Sequence, residues 1–139
     1  MCFVIDKTAV APETRVAYKV VLLAKGSGAV HSYYRGYKWC TGVHELSAYA
    51  RARTRATIRR NKEQAHQGFY VYMTLAAARR AIRSLRFHAD GKACVILKVC
   101  VDKKDWLYSN DLGGAVAVLP VATYAKVTVP EEQPYIEWY

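Results

Sequence analysis

The stretch Gly68 to Leu85, GFYVYMTLAAARRAIRSL, constrains this chain most, because its hydrophobic period changes across one polar residue. Phe69, Tyr70, Val71, Tyr72 and Met73 are aromatic or apolar without a break, the composition of a strand lying in a packed sheet. Beyond Thr74, Leu75, Ala78, Ile82 and Leu85 recur at helical spacing while Arg79, Arg80, Arg83 and Arg86 fall on another side. That pattern predicts an amphipathic helix with a basic outer face. Thr74 stands at the N-cap position, its hydroxyl placed to accept a hydrogen bond from an otherwise unpaired amide of the first turn.

Further strands are expected on both sides of this unit. Residues 2 to 5 read as a short strand and Arg15 to Leu23 as an interior one, since Val16, Tyr18, Val20 and Leu22 alternate with Ala17, Lys19, Val21 and Leu23 and both faces are mostly apolar. Ala93 to Val101 is the clearest interior strand, broken only by Lys98. AVAVLP and ATYAKVTV predict two short strands separated near Pro120, which cannot donate to a ladder. KGSG at 25–28, HADGK at 88–92 and NDLGG at 110–114 read as turns. The expected fold class is α+β: a single sheet-dominated domain over residues 1–139 with one central amphipathic helix. At 139 residues and 53% hydrophobic content a buried core is feasible. No apolar run approaches the roughly 20 residues that span a bilayer. MCFVI is followed by Asp6, with no basic leader. A soluble cytoplasmic protein with no membrane partner is therefore expected.

Charge narrows the choice of partner. Residues 1–130 hold all 21 lysines and arginines and eight of the eleven acids, a body of +13, whereas residues 131–139 hold Glu131, Glu132 and Glu137 and no base. So basic a body favours a polyanion: nucleic acid, an acidic protein surface or an anionic nucleotide. The densest run, Arg51, Arg53, Arg55, Arg59, Arg60 and Lys62, lies in ELSAYARARTRATIRRNKE, which reads as a helix or a loosely ordered insertion. It suits contact with a phosphate backbone, and equally a solvated surface. The arginines at 79, 80, 83 and 86 form a second candidate contact. In HSYYRGYKWC, Tyr33, Arg35, Tyr37 and Trp39 would share one side of an extended segment. Tyr33, Tyr37 and Trp39 are thus candidates for stacking on planar rings, or else core aromatics. The acidic segment PEEQPYIEWY reads as an internal counter-charge or a docking peptide.

Little else suggests chemistry. Cys2, Cys40, Cys94 and Cys100 show no zinc-like spacing and read as free thiols. His31, His44, His66 and His88 are scattered, and no phosphate-cradling glycine loop, nucleophile elbow or metalloprotease motif occurs. Neither a metal nor a cofactor is expected from the residues themselves.

The run Gly68-Phe69-Tyr70-Val71, entering a small-residue helix, resembles the G-[IL]-Y-[FV] segment of the ADP-ribosyltransferase superfamily. AYKVVLL before it, VILKVCVDKKDWLYS after it and AVAVLPVATYAKVTV resemble that family's first, following and closing strands. The resemblance implies the transferase fold, NAD as cofactor and Tyr70 stacking on nicotinamide. The family's first strand usually brings a histidine or arginine, where this chain has Tyr18 and Lys19; its closing strands usually bring a glutamate, where this chain has Ala115 or Ala117. Without that carboxylate nothing evident stabilises the oxocarbenium-like charge, which implies a catalytically degenerate relative. The Met-Cys start, the Tyr-Lys-Val strand and the Gly-Phe-Tyr strand also resemble small proteins of phages and large DNA viruses. Three functions are therefore expected: a basic accessory protein binding nucleic acid or an acidic partner, a divergent mono-ADP-ribosyltransferase, and a virion structural or assembly protein.

Overall fold

The computed structural model describes residues 3–6, 8–23, 30–32, 37–60, 64–65, 68–85, 93–110, 121–131 and 135–138. In chain order the strands are β1 (Phe3–Val4), β2 (Val16–Leu23), β3 (Val30–Ser32), β4 (Gly42–Glu45), β5 (Gln64–Ala65), β6 (Phe69–Tyr72), β7 (Ala93–Cys100), β8 (Trp106–Ser109), β9 (Val121–Tyr124), β10 (Lys126–Val129) and β11 (Tyr135–Trp138). Helix α1 (Ala48–Arg59) lies between β4 and β5, and α2 (Leu75–Leu85) between β6 and β7. The described chain is α+β and dominated by its sheet, with α1 beside the expected central helix, the helical alternative for residues 45–63.

The main sheet is antiparallel and runs β4-β10-β7-β2-β6-β9-β8, with β11 paired to β7 and β3 to β2 off this path. Its longest ladder joins β2 to β7 in continuous register from Val16 opposite Cys100 to Leu23 opposite Ala93. These are the two strands whose apolar residues occupy both faces, and both faces are covered. One holds Ala17, Val21, Val71, Val95, Leu97, Val99, Ala122, Tyr124, Val127 and Val129. The other packs Val20, Leu22, Tyr72, Cys94 and Ile96 under Ala77, Ala78, Ala81 and Ile82 of α2. Lys98 and the arginines at 79, 80 and 83 remain exposed, as the periodicity requires.

The strand-to-helix unit forms as expected. Thr74 Oγ1 accepts from the Ala77 amide at 3.1 Å, capping α2. Gly68 takes φ of +116°, a left-handed conformation that favours glycine, and a Cβ there would run into the Thr123 methyl.

The run 121–129 differs from expectation. It divides at Ala125 into β9, held between β6 and β8, and β10, held between β4 and β7. The cause is long-range: the Ala125 amide donates to the Asp105 carbonyl at 2.7 Å, and its carbonyl accepts from the Leu46 amide at 2.9 Å. Those bonds take Ala125 out of the ladder, so the chain turns there. Residues 111–120, including Pro120 and the AVAVLP strand, lie outside the described residues, as do the turns at 25–28 and 88–92. Part of the acidic segment is built into the sheet: β11 pairs with β7, Tyr135 opposite Leu97 and Trp138 opposite Val95. Among the described residues no helix is long and apolar enough to cross a membrane.

Candidate nucleic-acid interface

Helix α1 begins where Ser47 Oγ accepts the Ala50 amide at 3.1 Å. Threonine at 54 and 57 weakens helical propensity, yet both hydroxyls bond back to carbonyls four residues earlier, Thr54 to Ala50 at 2.9 Å and Thr57 to Arg53 at 3.1 Å. Thr54 is buried, and Ile58 packs on a cluster of Ile5, Leu107, Tyr108 and Ala125. This inner side fixes which residues face outward.

Arg51 is on the inner margin. Its guanidinium bridges Glu45 at 3.2 Å and Asp105 at 3.4 Å, and the Asp105 side chain is buried. It therefore ties α1 to the 3-10 turn Lys103–Asp105, its charge already shared between two carboxylates. Arg53, Arg55, Arg59 and Arg60 are exposed. No acid occurs in α1, so none of the four has an opposite charge on the helix itself. Arg59 and Arg60, at the carboxyl end, also sit where the helix dipole favours a cation. Lys62 lies outside the described residues.

The outer face also holds a residue that the sequence did not single out. Tyr49 is 73% exposed. Tyr49, Arg53, Ala56 and Arg60 follow one another at intervals of four, three and four residues, one stripe along the helix. On α2, Arg79, Arg80 and Arg83 are exposed, Arg79 with a partner of its own, and Arg86 lies outside the described residues.

The expected stacking surface is resolved differently. Tyr33 and Arg35 lie outside the described residues. Trp39 is only 4% exposed, its indole Nε1 donating to Ser32 Oγ at 2.6 Å, so it cannot offer a ring face to a base. Tyr37 keeps 42% of its surface but leans on Trp39 and Phe69, ring centroids 5.3 and 5.6 Å away. His44 closes the group. Its Nε2 lies 2.7 Å from the Cys40 carbonyl, which can only accept, so Nε2 carries a proton, and Nδ1 shares a hydrogen bond of 2.7 Å with the Tyr37 hydroxyl. Trp39 and His44 are core and Tyr37 packs on them at the surface, because an extended segment that bonds to β3 through Ser32 and Tyr37 turns its tryptophan inward.

Beside them is Lys19, 1% exposed, the one cation among the core side chains of β2. The ladder between β2 and β6 is a single pair, Tyr18 opposite Tyr72. Next to that pair, Lys19 Nζ donates to the Tyr70 carbonyl at 2.8 Å. It also sits 3.1 Å from the centroid of the Tyr70 ring and 5.6 Å from that of Trp39. Among the described residues no carboxylate pairs with it, and burial holds its amine well below the usual lysine range. Burial likewise raises the Tyr70 hydroxyl. One face of the ring expected to stack on nicotinamide is thus taken by a lysine of the same chain.

Among the described residues no three His, Cys, Asp or Glu side chains are grouped to hold a metal. Cys40, Cys94 and Cys100 take part in no disulfide, Cys94 buried and the other two exposed. No family model, no curated protein and no solved structure matches the chain.

Proposed function

We propose that this is a small basic binding protein whose partner is nucleic acid, engaged by the outer face of α1. One observation carries the reading: Arg53, Arg55, Arg59 and Arg60 are all exposed on a helix without an acid, in a chain of net charge +10. Four exposed guanidiniums spread round the solvent side of a helix without a carboxylate gain little from neighbours on that helix and much from phosphates, since each phosphate contact releases a condensed counterion. Arginine suits the role through its planar fork, which meets phosphate with two hydrogen bonds. Arg80 and Arg83 on α2 add to the general field that draws a polyanion toward the protein.

Titration with single- and double-stranded RNA and DNA at two salt concentrations tests this. Four phosphate contacts on a single strand correspond to a loss of about 50-fold in affinity between 50 and 200 mM salt. Binding that ignores salt, or is absent from all four probes, would overturn the proposal. Binding of polyglutamate and of none of the four nucleic acids would place an acidic protein surface there instead.

A further inference from the structure

Resting on the nucleic-acid reading, we infer that α1 takes single strands, with Tyr49 stacking on an unpaired base while Arg53 and Arg60 hold phosphates further along the same strand. Tyr49 has no ring partner, hydrogen bond or cation on its ring among the described residues and is 73% exposed. An aromatic ring left largely open to water gains from being covered. Elsewhere the chain puts its described rings to use in packing: Tyr37, Trp39 and Phe69 lie against one another, and Tyr72, Tyr108 and Tyr124 are buried.

The neighbours of Tyr49 fit a planar ligand. Ala52, one turn further on, is exposed, and Ala56 follows on the same side, so no bulky side chain flanks the ring there. A helical side chain leans toward the amino end, so Tyr49 projects past the first turn while Arg53 stands about 6 Å further along the axis. Arg60 lies about 10 Å beyond Arg53. The stripe therefore reads aromatic, cation, small, cation.

Chemistry separates the candidate strands. In a duplex the base faces are stacked on each other, and the grooves offer only edges, so an exposed tyrosine adds nothing to phosphate contact. In a single strand every base has a face to offer, and stacking on an aromatic side chain is tolerant of sequence. An acidic protein surface would use the arginines and leave the ring idle.

The experiment compares wild type, Tyr49→Ala and Tyr49→Phe on three probes: an unstructured strand of about 12 nucleotides, an abasic strand of equal length and a duplex. Tyr49→Ala is expected to weaken binding to the single strand roughly 5- to 150-fold. It leaves the abasic strand and the duplex within about twofold, and Tyr49→Phe binds like wild type because the ring alone matters. Equal affinity of wild type for base-bearing and abasic strands, or an equal loss for Tyr49→Ala on all three probes, overturns the inference while leaving the basic face in place. Failure of wild type to bind any probe removes the nucleic-acid reading itself. Tyr49 is exposed on a capped helix, and a thermal melt of both variants matching wild type shows that folding is not the cause.

Discussion

Lys19 offers the sharpest test of the interior. Its amine lies in the core against the Tyr70 carbonyl and ring with no carboxylate partner among the described residues, and burial depresses its pKa well below the ordinary 10.5. The sign follows from proton counts. Between the folded pKa and 10.5 the unfolded chain holds a proton that the folded chain has shed, so stability rises with pH across that window. The penalty is fully present below the folded pKa and is gone above the unfolded one. Each pH unit inside the window is worth about 1.4 kcal/mol. Lys19→Met keeps most of the side-chain volume and removes the titration, at the cost of leaving the Tyr70 carbonyl short of a donor, about 1–3 kcal/mol that does not vary with pH. Urea unfolding of both proteins at pH 8, 9 and 10, followed by tryptophan fluorescence, gives the comparison. Wild type should gain on the variant as pH climbs, by up to about 1.4 kcal/mol per unit. Tyr70 and Tyr72, with hydroxyls raised by burial, and Tyr124, raised to about 12, enter only at higher pH and are common to both proteins. Parallel curves from pH 8 to 10 would refute a desolvated Lys19.

Two other substitutions probe how the fold holds the interface. Gly68→Ala forces a side chain into the left-handed region and against the Thr123 methyl, and should cost at least about 1–3 kcal/mol by chemical denaturation; a loss within error would mean that the β6 entry can relax. Arg51→Met strips the buried Asp105 carboxylate of its cation and should cost about 1–3 kcal/mol, part of that pair being open to solvent, while the salt dependence of nucleic-acid binding stays as in wild type; a changed salt slope would make Arg51 a contact residue after all.

Much of the fold can be read along the chain, because β2, β6, β7 and α2 are stated by local period: Thr74 marks the change, and the two-sided runs at 16–23 and 93–100 match buried strands. What escapes such a reading depends on partners distant in sequence. The bend at Ala125 is made by Leu46 and Asp105. The pairing of β11 with β7 turns a proline-flanked acidic segment into part of the sheet. Of the interface, the arginine density was visible as charge. Its division into one structural residue, Arg51, and four outward ones required knowing that Thr54 and Ile58 face the body. Tyr49 was missed because a tyrosine near the start of a helix ordinarily half-buries itself; the signal was its place on a stripe with Arg53, Ala56 and Arg60 that has no large apolar residue. Trp39 had the right chemistry for stacking, but alternation alone does not say which side of an extended segment meets the core. Lys19 was visible as a charge among apolar residues, but its burial was not, because alternation does not show what covers a face.

The most direct test of the central claim is the salt dependence of single-strand binding for wild type against the variant carrying Arg53→Gln, Arg55→Gln, Arg59→Gln and Arg60→Gln. Each phosphate contact removed lowers the slope of log affinity against log salt by about 0.7. Four contacts on α1 predict a slope shallower by about 2 to 3 in the variant, with its thermal melt unchanged because all four side chains are exposed. An unchanged slope in a folded variant would place the polyanion elsewhere on the protein and contradict the account.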